Sequence, residues 1–292
     1  MTVLLTGGTG YLGSKMAALF RKSNHEVIIL KRSFSNILRI KDLIEECVLY
    51  DLDRVAITDI FKIHSIDIIM HCATDYGRKN SDSFQIVEAN LLLPLKLLEF
   101  GRKNKVKAFI NTDTILDKGV NTYSLSKGQF KEWLLALSSD MVCCNIALEH
   151  FYGPGDDPTK FVSYVISELN KKVVSIDLTL GYQERDFIHV DDVKEAMYSV
   201  ASQSMKLEPG FYEFEIGTGN PISIRHFVEM IKELSGNTIT ELKFGAIPYR
   251  ENEIMKCVSD TRAITALGWT SKKSLVQGLK EVIQYEKEQI KL

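Results

Sequence analysis

The sequence predicts an α/β fold, doubly wound about a parallel sheet, with a smaller C-terminal α/β lobe. Three observations carry that prediction. An apolar strand-like run at residues 3–6 turns at once into a glycine-rich loop and a helix-like segment at 14–21. Short runs apolar on both faces, at 27–30, 66–71, 109–111 and 142–148, then alternate with amphipathic stretches such as 84–104 and 123–138. After Gly153-Pro154-Gly155 the rhythm changes to longer loops and shorter strands, at 173–176 and 212–216, and ends in a helix at 276–290. The predicted division is residues 1–152, with return segments near 186–217, and a lobe built mainly from 153–292.

The first element is the most informative. A nucleotide pyrophosphate needs free backbone N–H groups at a helix N-terminus and a main chain that can come close. Glycine meets both needs, because it lacks Cβ and tolerates unusual dihedrals. Gly7, Gly10 and Gly13 have the spacing G-x-x-G-x-x-G, and Thr9, Tyr11 and Leu12 complete the turn. A Rossmann-type dinucleotide site is therefore expected here.

The second strand leads into Lys31-Arg32-Ser33. An acidic residue at its end would favour NAD, whereas two cations and a hydroxyl suit a 2′-phosphate. NADP(H) is the expected cofactor; a solvated basic loop is the alternative. Asp51 and Leu52 after the third strand are candidates for the adenine, with a surface turn as the competing reading. Cys72, Ala73 and Thr74 follow the fourth strand, where small residues let the backbone approach the pyrophosphate.

Bulk properties narrow the class. The chain has 292 residues, 45% hydrophobic and 25% charged, with a formal charge of −2, so nothing points to nucleic acid as a partner. No run of about 18 apolar residues suggests a membrane span, and no signal peptide is read before the first strand. Five cysteines without C-x-x-C spacing read as reduced thiols of a cytoplasmic protein. His25 and His64 lack metal-ligand spacing, and no metal site is expected.

Tyr123 and Lys127 lie four apart at the start of a helix-like segment and share one face. An ammonium near a phenol stabilises the phenolate and makes the tyrosine usable as an acid or base. Thr112, ending the preceding strand, is placed to offer a hydroxyl to the same substrate oxygen. Thr114 is the alternative hydroxyl.

The glycine motif, Tyr123-x-x-x-Lys127 and Arg185-Asp186-Phe187-Ile188-His189-Val190-Asp191-Asp192 together resemble the extended short-chain dehydrogenase/reductases that act on nucleotide sugars. The resemblance covers essentially the whole chain. It implies that the tyrosine exchanges a proton with the sugar oxygen, the lysine tunes it and binds the nicotinamide ribose, and the Ser/Thr orients the oxygen. Thr112-Asp113-Thr114 departs from the Thr-Asp-Glu of the 4,6-dehydratases, so dehydration is not expected. The strings 73–77, 148–156, 244–247 and 250–255, with the short 112–123 loop, are similar to the abequose/paratose synthase group. That group reduces the 4-keto sugar of a CDP-linked 3,6-dideoxyhexose for O-antigen synthesis, which implies a CDP-sugar substrate. Reductases of dTDP-linked 4-keto sugars and NAD-dependent nucleotide-sugar epimerases are the alternatives. A homodimer is expected from the family and from the apolar helix faces.

The remaining substrate-site candidates each have a plain structural alternative. Asn90 lies on the long helix. Arg185 and Arg250 suit a diphosphate, or a surface ion pair. Glu253 accompanies Arg250 in the 250–255 string. Tyr76, with Arg78, follows the fourth strand into a loop expected over the sugar. Glu149 and His150 sit at the mouth of the sixth strand, with His150 a proton relay or a hydrogen-bonded structural residue. Asp191 and Asp192 are expected to cap a helix beginning at Val193.

Overall fold

The computed structural model describes residues 1–78, 81–251 and 253–290. The chain divides into two compact units. One comprises Met1–Leu148, Lys194–Glu215 and Ala263–Trp269; the other comprises Glu149–Val193, Ile216–Arg262 and Thr270–Leu292.

The first unit is wound about a sheet with seven strands among the described residues. Along the chain run β1 (Thr2–Thr6), α1 (Tyr11–Lys22), β2 (Glu26–Lys31), β3 (Val48–Asp51), α2 (Ile57–Ile63) and β4 (Ile68–His71). They are followed by α3 (Ser83–Val87), α4 (Leu93–Lys103), β5 (Ala108–Thr114), α5 (Thr122–Ala136) and β6 (Val142–Leu148). The strand Gly210–Ile216 lies beside β6, and the order continues β5, β4, β1, β2, β3. The pairings from β6 through to β3 are parallel. Strand order reverses between β1 and β4, so their carboxyl ends open the crevice where such sheets bind ligands.

The core shows how position along a strand separates packing from chemistry. On one sheet face Leu4, Ile69, Phe109 and Cys143 are buried in a single apolar cluster with Phe130 and Leu134 of α5. Two residues further along each strand, on the same face, stand Thr6, His71, Asn111 and Asn145. These four are register neighbours across β1, β4, β5 and β6, and all are buried. A polar row thus borders the apolar core at the carboxyl edge.

The helix expected over 84–104 is interrupted. A π turn at Glu88–Leu92 separates α3 from α4. Pro94 sits in the first turn of α4; it has no N–H for the carbonyl four residues back, and the wider turn accommodates that break.

The second unit has its own core, in which Val165, Ile166, Phe187, Phe227, Ile231, Leu279 and Val282 pack together. The helix Val190–Ser204, of which residues 190–193 belong to this unit, starts before the aspartates expected to cap it, so Asp191 and Asp192 stand in its first turn. Their carboxylates face elsewhere. Asp192 accepts from the backbone N–H of Lys272 (3.1 Å) and Lys273 (2.9 Å), and Asp191 pairs with the Lys273 ammonium. Among the described residues no helix is long and apolar enough to cross a membrane.

Candidate active site

The glycine loop is shaped by close backbone approach. Gly7 has φ +66°, and a Cβ there would lie 2.5 Å from the amide nitrogen of Ala73. At Gly13 a Cβ would lie 2.1 Å from the Gly7 carbonyl oxygen. Gly10 is the N-cap of α1, and the first turn carries no acidic residue. The start of α1, where Gly10 offers no side-chain cap, beside a loop with no room for a Cβ at Gly7 or Gly13 suits a pyrophosphate. Thr9 and Tyr11 are half-buried and Leu12 is buried; Lys15 and Arg39 lie over the Tyr11 ring at 5.0 and 5.3 Å. Cys72 and Ala73 pass against Gly7, and Thr74 is half-buried.

The basic stretch meets three carboxylates. Lys31 pairs with Asp51 at 3.5 Å, and Arg32 with Asp53 at 2.5 Å and Glu88 at 3.8 Å. Ser33 donates its hydroxyl to Asp51 (2.7 Å) and its N–H to Asp53 (2.8 Å). That Ser33 hydroxyl holds the Asp51 carboxyl below its usual range. The donors expected to read a 2′-phosphate are thus engaged with carboxylates. Leu52 fixes the strand end through its N–H to the Lys31 carbonyl (2.9 Å).

Tyr123 and Lys127 face β5 from one side of α5, which starts with an Asn121–Ser124 capping box. The Lys127 ammonium is buried and donates to the Thr112 carbonyl at 2.8 Å. Burial pushes its pKa down to about 8, against the opposing pull of Asp113 and then Cys72. Thr112 donates its hydroxyl to the His71 carbonyl at 3.0 Å, whereas the Thr114 hydroxyl accepts from the Leu116 N–H at 3.3 Å and lies near the Tyr123 phenol. The expectation that the lysine lowers the phenol's pKa is corrected here. Burial raises it well above its ordinary value, Tyr76 and Asp113 add to the rise, and Thr114 and Arg78 oppose it. The phenol is therefore held protonated at neutral pH. The Tyr76 ring lies 5.1 Å from that of Tyr123, and the Arg78 guanidinium lies over the Tyr76 ring at 5.4 Å.

Residues that sequence reasoning left unassigned tie this centre together. Asp113 accepts from the Thr114 N–H (2.8 Å) and from Asn145 (2.9 Å); Asn145 accepts from Asn111 (2.8 Å) and reaches Glu213 at 3.4 Å. Glu213 pairs with Lys131, one turn beyond Lys127 on α5. Asparagines inside otherwise apolar strands were the available signal. His71 bonds Thr6 at 2.8 Å and is kept neutral chiefly by burial. Its Nε2 and the Asn111 Oδ1 have no hydrogen-bond partner among the described residues.

Asn90, carried inward by the π turn, accepts from the Asp75 N–H (2.8 Å) and donates to the Asp75 carbonyl (2.8 Å) and the Ser126 hydroxyl (3.0 Å). It clasps the loop bearing Tyr76 to α5.

The second unit holds the other candidates. The Glu149 carboxylate accepts from the N–H of His150 (3.0 Å) and is bonded to its ring Nδ1 (2.7 Å). Arg185 donates to the carbonyls of Glu184 (2.7 Å) and Ile254 (2.6 Å) and pairs with Glu253. Arg250 is exposed, and Asn252 of the same string lies outside the described residues. His189, Asp191 and Glu281 converge with metal-ligand spacing, but the Lys273 ammonium sits against both carboxylates, at 3.0 and 2.6 Å.

A glycine cradle at the sheet's switch point and a Tyr–Lys pair facing a threonine strand define a class. The chain belongs to the NAD dependent epimerase/dehydratase family, whose model matches residues 3–217. It is 32% identical over 290 residues to the CDP-abequose synthase of Salmonella muenchen, covering 96% of each chain. It is also 25% identical over 334 residues to the UDP-glucose 4-epimerase of Yersinia enterocolitica, covering 98% of each. Among solved structures, the UDP-glucose 4-epimerase of Thermotoga maritima with UDP-glucose superposes with a TM-score of 0.86 at 23% identity. That match covers 99% of this chain and 100% of the other.

Proposed function

We propose that the protein is an NADPH-dependent reductase of the 4-keto group of a nucleotide-linked deoxysugar, with CDP-4-dehydro-3,6-dideoxy-D-glucose as substrate and CDP-abequose or CDP-paratose as product. The observation that supports this most is the buried Lys127 ammonium fixed to the Thr112 carbonyl one helical turn from Tyr123, with Thr112 and Thr114 on the facing strand. Ketone reduction consumes a proton at the oxygen, and Tyr123 is the hydroxyl acid this arrangement offers. The 32% identity to a CDP-abequose synthase over nearly the whole chain supports the sugar and nucleotide assigned.

The nicotinamide cofactor supplies the hydride when bound. Gly7, Gly10 and Gly13 bring main-chain amides to its pyrophosphate, and Lys127 binds its ribose. Tyr123 would deliver the proton that the sugar oxygen needs to become an alcohol. Thr114, near the Tyr123 phenol, orients that oxygen; Thr112, bonded to the His71 carbonyl, holds β5 against β4. Of the candidates in the second unit, the exposed Arg250 has the chemistry that suits a diphosphate. A soluble cytoplasmic homodimer completes this reading.

One observation favours a second reading. Asp51 and Asp53 already engage Lys31, Arg32 and Ser33, which suits NAD and an epimerase. The test is NADPH consumption with CDP-4-dehydro-3,6-dideoxyglucose, run beside NADH and a dTDP-4-keto sugar. Rapid loss of NADPH with the CDP sugar and an NMR-identified dideoxyhexose product bear the reductase out. No turnover, with NAD retained through purification, replaces it with the epimerase.

A further inference from the structure

The polar contacts of β5 and β6 exceed what joins two strands. Asn145 is fully buried, and a buried amide is unfavourable unless its groups are bonded. An apolar residue would continue the cluster that Phe109 and Cys143 already form on this face. Instead the Asn145 amide is bonded on each side, to Asn111, Asp113 and Glu213.

We infer that Asn145 is a positioning residue, which through Asp113 fixes the negative charge facing the Lys127 ammonium. The Asp113 carboxylate is held by two donors, one on each oxygen: the Thr114 N–H at 2.8 Å and the Asn145 amide at 2.9 Å. With both oxygens bonded it cannot turn. The residue before it, Thr112, presents its carbonyl to Lys127 at 2.8 Å, which places the ammonium beside this stretch of β5. At its far side Asn145 reaches Glu213, which is neutralised by Lys131. The polar chain therefore leaves α5 at Lys131, crosses the strand Gly210–Ile216 and β6, and ends on β5 at Asp113, next to the Thr112 carbonyl that Lys127 meets.

The charges around Lys127 make Asp113 decisive. His71 and Cys72 approach from the end of β4, and Tyr123 lies one turn earlier on α5. Burial keeps His71 neutral, pushes the Cys72 thiol up to about 12 and keeps the Tyr123 phenol protonated. Among these groups Asp113 carries the charge that opposes loss of the Lys127 proton. The inference rests on the reductase reading, in which a charged Lys127 acts on the cofactor ribose.

The experiment is an NMR titration of protein labelled with carbon-13 at lysine Cε, the Lys127 signal being assigned by its loss in Lys127→Met. The wild-type midpoint is expected near 8. Asp113→Asn should lower it by about 1 pH unit. Asn145→Leu should lower it in the same direction, and the double variant should go no lower than Asp113→Asn alone. If the leucine variant does not fold, Asn145→Ser takes its place with the same expectation. An unmoved midpoint in the Asn145 variant, or full additivity in the double variant, overturns the inference. CDP-sugar reduction is assayed on the same samples. Absent turnover with the expected titration pattern refutes the reductase reading alone; turnover with an unmoved midpoint refutes the role of Asn145 alone.

Discussion

The Lys127 ammonium donates to the main-chain carbonyl of Thr112 at 2.8 Å, inside a region that excludes water. A side chain on α5 is thereby fastened to the backbone of β5, one residue from Asp113 and two from the Thr114 hydroxyl near Tyr123. Proton chemistry and scaffold share the same bonds here.

Replacing Tyr123, the proposed proton donor, should separate binding from turnover. Tyr123→Phe should lower kcat by roughly 100-fold or more and leave cofactor affinity and the unfolding midpoint close to wild type. Steady-state kinetics with fluorescence titration of NADPH checks both. A variant with undiminished kcat removes Tyr123 from the mechanism.

Lys127 makes stability depend on pH. Its folded pKa of about 8 lies below the ordinary 10.5, so the unfolded chain binds the proton more tightly. Stability is diminished below pH 8 and regained as pH rises from 8 to 10.5. At pH 7 the penalty is about 3 kcal/mol, partly offset in any comparison by the bond to Thr112, about 1–3 kcal/mol if its carbonyl were left unpaired. Lys127→Met should accordingly unfold at higher urea than wild type at pH 7, by about 1 kcal/mol, and lose that advantage near pH 10. Urea denaturation at the two pH values reads the crossover.

The glycine cradle tolerates no methyl group at its tightest point. Gly13→Ala would bring a Cβ to 2.1 Å from the Gly7 carbonyl oxygen, and backbone rather than a flexible side chain would have to move. Cofactor binding should fall by at least about 100-fold, with a loss of about 2–4 kcal/mol in stability. Calorimetric titration with NADPH and NADH measures the first, thermal unfolding the second.

Asp53 should act as a brake on phosphate reading. Asp53→Asn frees the Arg32 guanidinium from its 2.5 Å partner and removes a negative charge, which should raise the preference for NADPH over NADH by about 10-fold. Comparing kcat/KM for the two cofactors in both proteins tests it. Unchanged selectivity would place the 2′-phosphate away from Arg32.

Much of the architecture was legible because its signals are local. The strand, glycine turn and helix at the N-terminus are consecutive, and apolar runs mark β2, β4, β5 and β6 directly. Tyr123 and Lys127 were readable because four residues is one helical turn. The Asp113–Asn145–Glu213 chain was not, since its members come from three strands far apart in sequence and meet only through register. The state of the phenol was equally hidden: a Tyr–Lys spacing reveals the neighbour but not the burial that outweighs it. The basic triplet was visible, while the carboxylates that engage it lie about twenty residues away on β3 and the turn after it.

The π turn at Glu88–Leu92 gives the path from α3 to α4 one residue more than a regular helix would use. Deleting one residue there would close the wide turn to the regular pitch, in which each residue advances by about 100°. Asn90 would then swing off the loop it clasps while each helix kept its own sequence. The placement of the Tyr76 loop is thus a matter of phase, set by counting residues along a screw, and length in this short stretch is as constrained as identity.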